Sequence, residues 1–145
     1  MSELVLIVTI AGRAAALRAA EVHSVVELEA VVPVPRAPAH VLGLSALRSN
    51  TLTVVDAAAA LGLSPAERPG IGTRAPIVDH HGHRYALVVE GIDDVATTAG
   101  DPVPVPGEAG DGWQRASDGL IETDRGPALL LSLDAMLGGA SARAA

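Results

Sequence analysis

Three imidazoles crowd one short stretch, His80-His81-Gly82-His83, and this is the one arrangement in the chain whose residue types suit a metal ion. On a turn, two imidazoles can converge on a cation. The nearby carboxylate is Asp79, and histidine is common on the turns of soluble proteins, so a metal bound by His80, His81 and His83 is expected to be adventitious. His23 and His40 stand alone and read as solvated or hydrogen-bonded side chains. Gly43-Leu44-Ser45-Ala46-Leu47 resembles the G-x-S-x-G turn of a nucleophilic serine, but the second glycine is missing and no helix follows, so Ser45 reads as a polar strand residue. Gly70-Ile71-Gly72 does not extend to a phosphate-binding loop. Asp93 and Asp94 are adjacent, which on a regular strand sends them to opposite faces and prevents a shared proton; they read as the entry to a loop. With neither a nucleophile and base nor an acid–base pair nor a cofactor box, the residues predict a protein that is not an enzyme and takes no cofactor.

The elements that must carry these residues are aliphatic. The 145 residues are 49% hydrophobic, yet hold no Phe, one Trp (Trp113) and one Tyr (Tyr85), so Val, Leu, Ile and Ala must build the core. This length suits a single domain over 1–145. The absence of Cys excludes disulfides and thiolate chemistry. A formal charge of −7 repels phosphate backbones, and so few aromatics offer no stacking platform, so no nucleic-acid partner is expected. Met1-Ser2-Glu3-Leu4 lacks a positive leader, and no apolar run reaches the roughly 18 residues of a membrane span, so a cytoplasmic protein without direct membrane insertion is expected.

Leu4 to Ile10, closed by Ala11-Gly12, predicts a strand and a turn, with Ala14 to Leu17 pairing back. Val22 to Val32 predicts a strand with Glu27 and Glu29 on its wet face, ended by Pro33, Pro35 and Pro38. Ala39 to Leu42 suggests one helical turn. Gly43 to Leu47 and Thr51 to Val55 suggest a hairpin across Arg48-Ser49-Asn50, before Asp56 caps a short alanine helix that Gly62 ends. Residues 64–74 predict a mobile loop. Strands are expected at Ala75 to Asp79, Arg84 to Val89 and Val95 to Thr97, and a second, proline-rich loop over 100–112. Leu120 to Thr123 and Ala128 to Leu133 suggest a last hairpin before a helix at Asp134 to Leu137. Val54-Val55-Asp56-Ala57 and Ser132-Leu133-Asp134-Ala135 echo each other, suggesting two similar halves, and many short strands at this spacing point to small barrels.

The order Pro35, Pro38, Gly43, Arg48, Val54, Asp56 resembles the CheW-like domain, whose stretch has the form P-x-x-P, a short spacer, then G-x-x-N-x-R-G-x-x-x-P-V-x-D-L. Here Ala46, Ser49, Thr53 and Ala57 stand where that family has Asn, Gly, Pro and Leu. Ala86 to Val95 is similar to the family's G-L-x-V-D-x-V-x-x-V segment, with Glu90 for the usual Asp, and Leu129 to Leu137 is similar to its terminal strand and helix. The resemblance spans nearly the whole chain.

It implies an all-β fold with short helices, built as two intertwined five-stranded SH3-like β-barrels without an active site. It also implies a chemotaxis adaptor that couples the cytoplasmic tips of chemoreceptors to the regulatory domain of the histidine kinase CheA. Receptor binding would run through Val22, Ser24 and Arg48, with Pro35, Pro38, Gly43, Val54 and Asp56 as structural motif residues and the kinase at the ends of the barrels. The family often has Glu at Ser24, so one charge used elsewhere in receptor recognition is missing. Two other readings are a scaffold of the same fold in a non-chemotaxis kinase pathway and a small metal-binding protein using His80, His81 and His83.

Overall fold

The computed structural model describes residues 2–64 and 69–138. Ten strands form two five-stranded units. They are β1 (Leu4–Ile10), β2 (Arg13–Arg18), β3 (Val22–Glu27), β4 (Val41–Leu47), β5 (Asn50–Asp56), β6 (Arg74–His80), β7 (His83–Val88), β8 (Gly91–Val103), β9 (Ser117–Thr123) and β10 (Gly126–Leu131). Helices α1 (Ala57–Ala60) and α2 (Asp111–Ala116) are short, and a π-helical turn spans Asp134–Gly138.

The first unit is a closed barrel in the order β1-β2-β10-β9-β8, and the second is a sheet in the order β3-β6-β7-β5-β4. Laid side by side, β8, β9, β10, β1 and β2 play the parts of β3, β4, β5, β6 and β7. Each unit has two antiparallel hairpins joined by one parallel pairing, β10 with β2 and β5 with β7. One unit is thus a circular permutation of the other, and the chain crosses between them after β2 and after β7. The second unit also closes on itself. Past β3, Leu28 stays bonded to the start of β6 through Gly72 and Thr73, and Val32 then bridges Leu44 in β4 with N···O distances of 2.8 and 2.9 Å.

The alternation of β1 explains the apolar run from Leu4 to Val8. Val5 and Ile7 face the barrel interior with Ala16, Ala96, Ile121, Ala128 and Leu130, whereas Leu6, Val8 and Ile10 face a seam shared with Val55, Val78 and Leu87 of the second unit. A strand buried on both faces has little place for polar residues, and in β1 the one polar residue, Thr9, is half-buried near the strand's end. The interior of the second unit is Leu28, Leu52, Val54, Ala75, Ile77, Ala86 and Val88. Trp113, the chain's single indole, is fully packed in the seam.

Several expectations need correction. Ala39–His40 is a turn and Val41-Leu42 opens β4, because pairing with β5 outweighs the weak gain of a single helical turn. The strand begun at Val22 ends at Glu27, and only Val32 pairs again before the prolines. Asp101 to Val103 belongs to β8: an irregularity between Ala99 and Val103 carries Pro102 past the β9 ladder without demanding its missing N–H. Asp93 and Asp94 also lie in β8, where a bulge opposite Leu6 and Val8 breaks the alternation and leaves both exposed. Within the stretch expected to be loop, α2 forms around Trp113, because burying the indole against the seam outweighs poor local helix propensity. Residues 65–68 of the expected 64–74 loop lie outside the described residues, and Arg74 already belongs to β6.

The suspected repeat is real but shifted by two residues. Asp56 Oδ1 accepts from Ala59 N at 3.2 Å, and the matching bond after β10 runs from Ala135 N to Ser132 Oγ, also 3.2 Å. Ser132, not Asp134, is therefore the counterpart of Asp56.

Candidate interaction surface

Arg48 and Ser49 are the two loop residues of the β4–β5 hairpin, with φ of +48° and +72°. Such a turn matches the twist of the strands it joins but places both residues in the left-handed region, where glycine or asparagine is usual. Arg48 is exposed, and among the described residues it makes no ion pair. Its guanidinium is a fork of donors facing solvent.

Val22 opens β3 and is half-buried against the seam. The β3–β6 register shifts between Val22 and Ser24, so His23 bulges outward and its Nδ1 lies 3.1 Å from Ser24 Oγ. A bulge of this kind re-aims the side chains beside it. Across the sheet, Val22 lies opposite Val78, Val78 opposite Tyr85, Tyr85 opposite Thr53, and Thr53 opposite Leu44. Arg48 lies four residues past Leu44, in the turn that ends β4. The fold thus puts Val22, Ser24 and Arg48 toward one end of the second unit, on its two outer strands, with the β6–β7 turn between them.

The motif residues lie within and around this frame. Pro38 ends the incoming loop, and its carbonyl accepts from Val41 N at 2.9 Å; Pro35 lies in the exposed turn before it. Val54 is fully buried in the interior of the second unit. Asp56 is buried at the α1 cap, and its N–H donates to His40 O at 2.8 Å. Gly43 lies so close to Val32 that a side chain there would strike the Val32 carbonyl.

Ser45 is a buried β4 residue whose Oγ has no hydrogen-bond partner among the described residues. The imidazoles are arranged differently from the expected set. His83 begins β7, and Asp79 is engaged by Arg84 at 3.3 Å, whereas Asp134 reaches His81 at 3.0 Å and lies 3.6 Å from His80. Burial, reinforced by the His81 ring, pushes the His80 pKa below the ordinary histidine value, against a smaller opposing pull from Asp134. Burial likewise raises the Glu21 carboxyl above its ordinary value, with Arg18 opposing and Asp118, Asp134 and Glu3 adding to it.

Sequence reasoning missed one surface feature. Val32, Val34, Leu44 and Ile71 are large apolar residues left exposed on the second unit, beside a groove lined by Glu29, Val31, Pro33 and Leu42. In the sequence Val32 is the end of a strand run and Ile71 part of a Pro- and Gly-rich loop. Single exposed aliphatics carry no signal in a sequence; that Val32 bridges Leu44, and that Ile71 lines one groove with Val31 and Pro33, is set only in three dimensions.

Residues 4–141 match the family model of the CheW-like domain. Over 105 residues the chain is 30% identical to the chemotaxis protein CheW of Rhizobium meliloti (strain 1021), covering 72% of this chain and 67% of that protein. It is 28% identical over 114 residues to the probable chemotaxis protein CheW of Rhizobium etli, covering 77% and 72%. The crystal structure of the scaffolding protein TtCheW from Thermoanaerobacter tengcongensis superposes with a TM-score of 0.75 over 92% of this chain and 90% of that one, at 21% identity, which is a likeness of fold.

Proposed function

Since the chain belongs to the CheW-like family of non-catalytic scaffold and adaptor proteins, we propose that it couples the cytoplasmic tips of chemoreceptors to the regulatory domain of the histidine kinase CheA. The observation that carries this reading is the match of residues 4–141 to the family, which spans both five-stranded units.

An adaptor must hold two partners at once on separate surfaces. The receptor side runs through Val22, Ser24 and Arg48. The half-buried Val22 offers apolar area beside the bulged β3, and Arg48 offers charge-assisted bonds to carboxylates or carbonyls of a partner helix. The kinase side lies at the barrel ends away from the β4–β5 turn, so that both partners can be held at once. Ser24 in place of the family's frequent Glu leaves receptor recognition to rest more heavily on shape and on Arg48. The protein works in the cytoplasm in this reading; among the described residues no helix is long and apolar enough to cross a membrane.

The test is reconstitution. A receptor-tip fragment is sedimented on a template with the CheA regulatory domain, with and without this protein. Kinase domain retained only when the protein is present supports the coupling role, and failure to bind either partner overturns it.

A further inference from the structure

Asp134 follows β10 of the first unit, whereas His80 and His81 sit at the β6–β7 turn of the second, 53 residues away from Asp134 for His81. The two units meet there with three ligand-type atoms turned toward one another. His81 Nε2 lies 3.0 Å from Asp134 Oδ1, His80 Nε2 lies 3.6 Å from the same oxygen, and all three atoms fall within 4.8 Å of each other.

Two features distinguish this group from a chance surface cluster. The His80 side chain is only 8% exposed, and its Nε2 is buried without a hydrogen-bond partner among the described residues. A separation of 3.6 Å is too long for a hydrogen bond, so that nitrogen is aimed at the carboxylate without being satisfied by it. In addition, Ser132 caps the last turn, which leaves Asp134 with no capping task and its carboxylate turned to the histidines.

We propose that His80 Nε2, His81 Nε2 and Asp134 Oδ1 form a binding site for a divalent transition-metal ion of the zinc class. Two imidazoles and one carboxylate suit borderline ions such as zinc; magnesium and calcium call for oxygen ligands alone. Ligand bonds of about 2.0–2.1 Å in a tetrahedron place ligand atoms roughly 3.3 Å apart, between the two separations measured to Asp134. Closing the site asks for small movements of His81 and Asp134, both largely exposed. The remaining coordination position is open to water. His83, in β7, stands outside the group, so the ion has a different third ligand from the one the histidine-rich sequence suggests. Because the ligands come from both units, the ion would cross-link the β6–β7 turn to the segment after β10, and its effect would be on stability.

The experiment is calorimetric titration of the full chain, stripped with a chelator and dialysed, with zinc chloride, alongside thermal melts with and without the ion. One saturating equivalent is expected, together with a raised melting temperature. His81→Asn and Asp134→Asn should each weaken binding by about ten-fold or more and abolish the thermal gain, as loss of one ligand in three requires. Both residues are exposed, so these variants should fold even where His80→Gln does not. His83→Asn should bind as the parent does, and magnesium chloride should give no heat. No saturable zinc binding below about 1 mM, or binding that survives Asp134→Asn while His83→Asn destroys it, would overturn the proposal.

Discussion

Gly43 in β4 and Gly119 in β9 hold the same station in the two units. Gly43 pairs with Val54 and Gly119 with Leu130, their φ angles are +151° and +142°, and a Cβ on either would meet the backbone carbonyl of the strand that closes its unit, Val32 or Val103. Both crossings are followed directly by proline, Pro33 and Pro104. The repeat is therefore built into the closure of each unit.

If these closures depend on backbone contact, Gly43→Ala and Gly119→Ala should each destabilise the fold by about 2 kcal/mol or more, through overpacking against a carbonyl and an unfavourable φ. Gly91→Ala is the control, since its Cβ would meet only Thr9 at an ordinary 3.9 Å. Chemical denaturation of the three variants decides it: equal midpoints would mean that both crossings move aside easily.

The hairpin at Arg48-Ser49 carries two non-glycine residues at positive φ. The left-handed region costs an L-residue roughly 1–2 kcal/mol, partly offset by the greater chain entropy that glycine loses on folding. Ser49→Gly, which restores the residue the family has there, should therefore raise stability by about 0.5–1 kcal/mol without touching any buried contact. A denaturation midpoint at or below that of the parent would show that Ser49 gains something locally that glycine cannot.

The hairpins were legible in the sequence because turn chemistry and alternation act over a few residues. Leu4 to Ile10 is the span of β1, and the Asp56 cap and the β4–β5 turn lie where expected. What escaped was set at long range. Helix α2 exists because the seam accepts Trp113, and Arg115 ties it to α1 through Ala60 O at 3.2 Å. Pro102 is tolerated because the β8–β9 register skips it. Asp134 meets His81 only because two units separated in sequence dock there, and no local pattern encodes that contact.

Glu21 offers a pH-dependent check on how the first unit's acidic edge is packed. Its folded pKa is raised above the ordinary 4.5, chiefly by burial, and its Oε1 has no hydrogen-bond partner among the described residues. Near neutral pH the ionised carboxylate therefore opposes folding. That opposition fades as pH falls through the raised folded value, because the folded state takes up its proton first, and it is gone below 4.5, where both states are protonated. Glu21→Gln should melt above the parent at about pH 7.5, and the gap should close on acidification toward about pH 4.5. A gap that stays constant with pH would trace the effect to packing instead of charge.

Receptor and kinase binding should separate at Arg48. Its side chain is exposed and free of ion pairs among the described residues, so Arg48→Glu removes nothing from the folded protein and should change stability by less than about 0.5 kcal/mol. If Arg48 lies on the proposed receptor surface, the same change puts a carboxylate where a guanidinium would face acceptors of the partner. Binding to a receptor-tip fragment should then weaken by roughly 1–3 kcal/mol through like-charge repulsion and lost donors. Binding of the kinase regulatory domain should be unaffected, since the proposed adaptor role puts the kinase on a surface separate from the β4–β5 turn. The measurement is a paired titration of the variant against both partners, with a thermal melt as the folding control. Equal losses for the two partners would place Arg48 on a shared surface, and an unchanged receptor affinity would remove it from the receptor side.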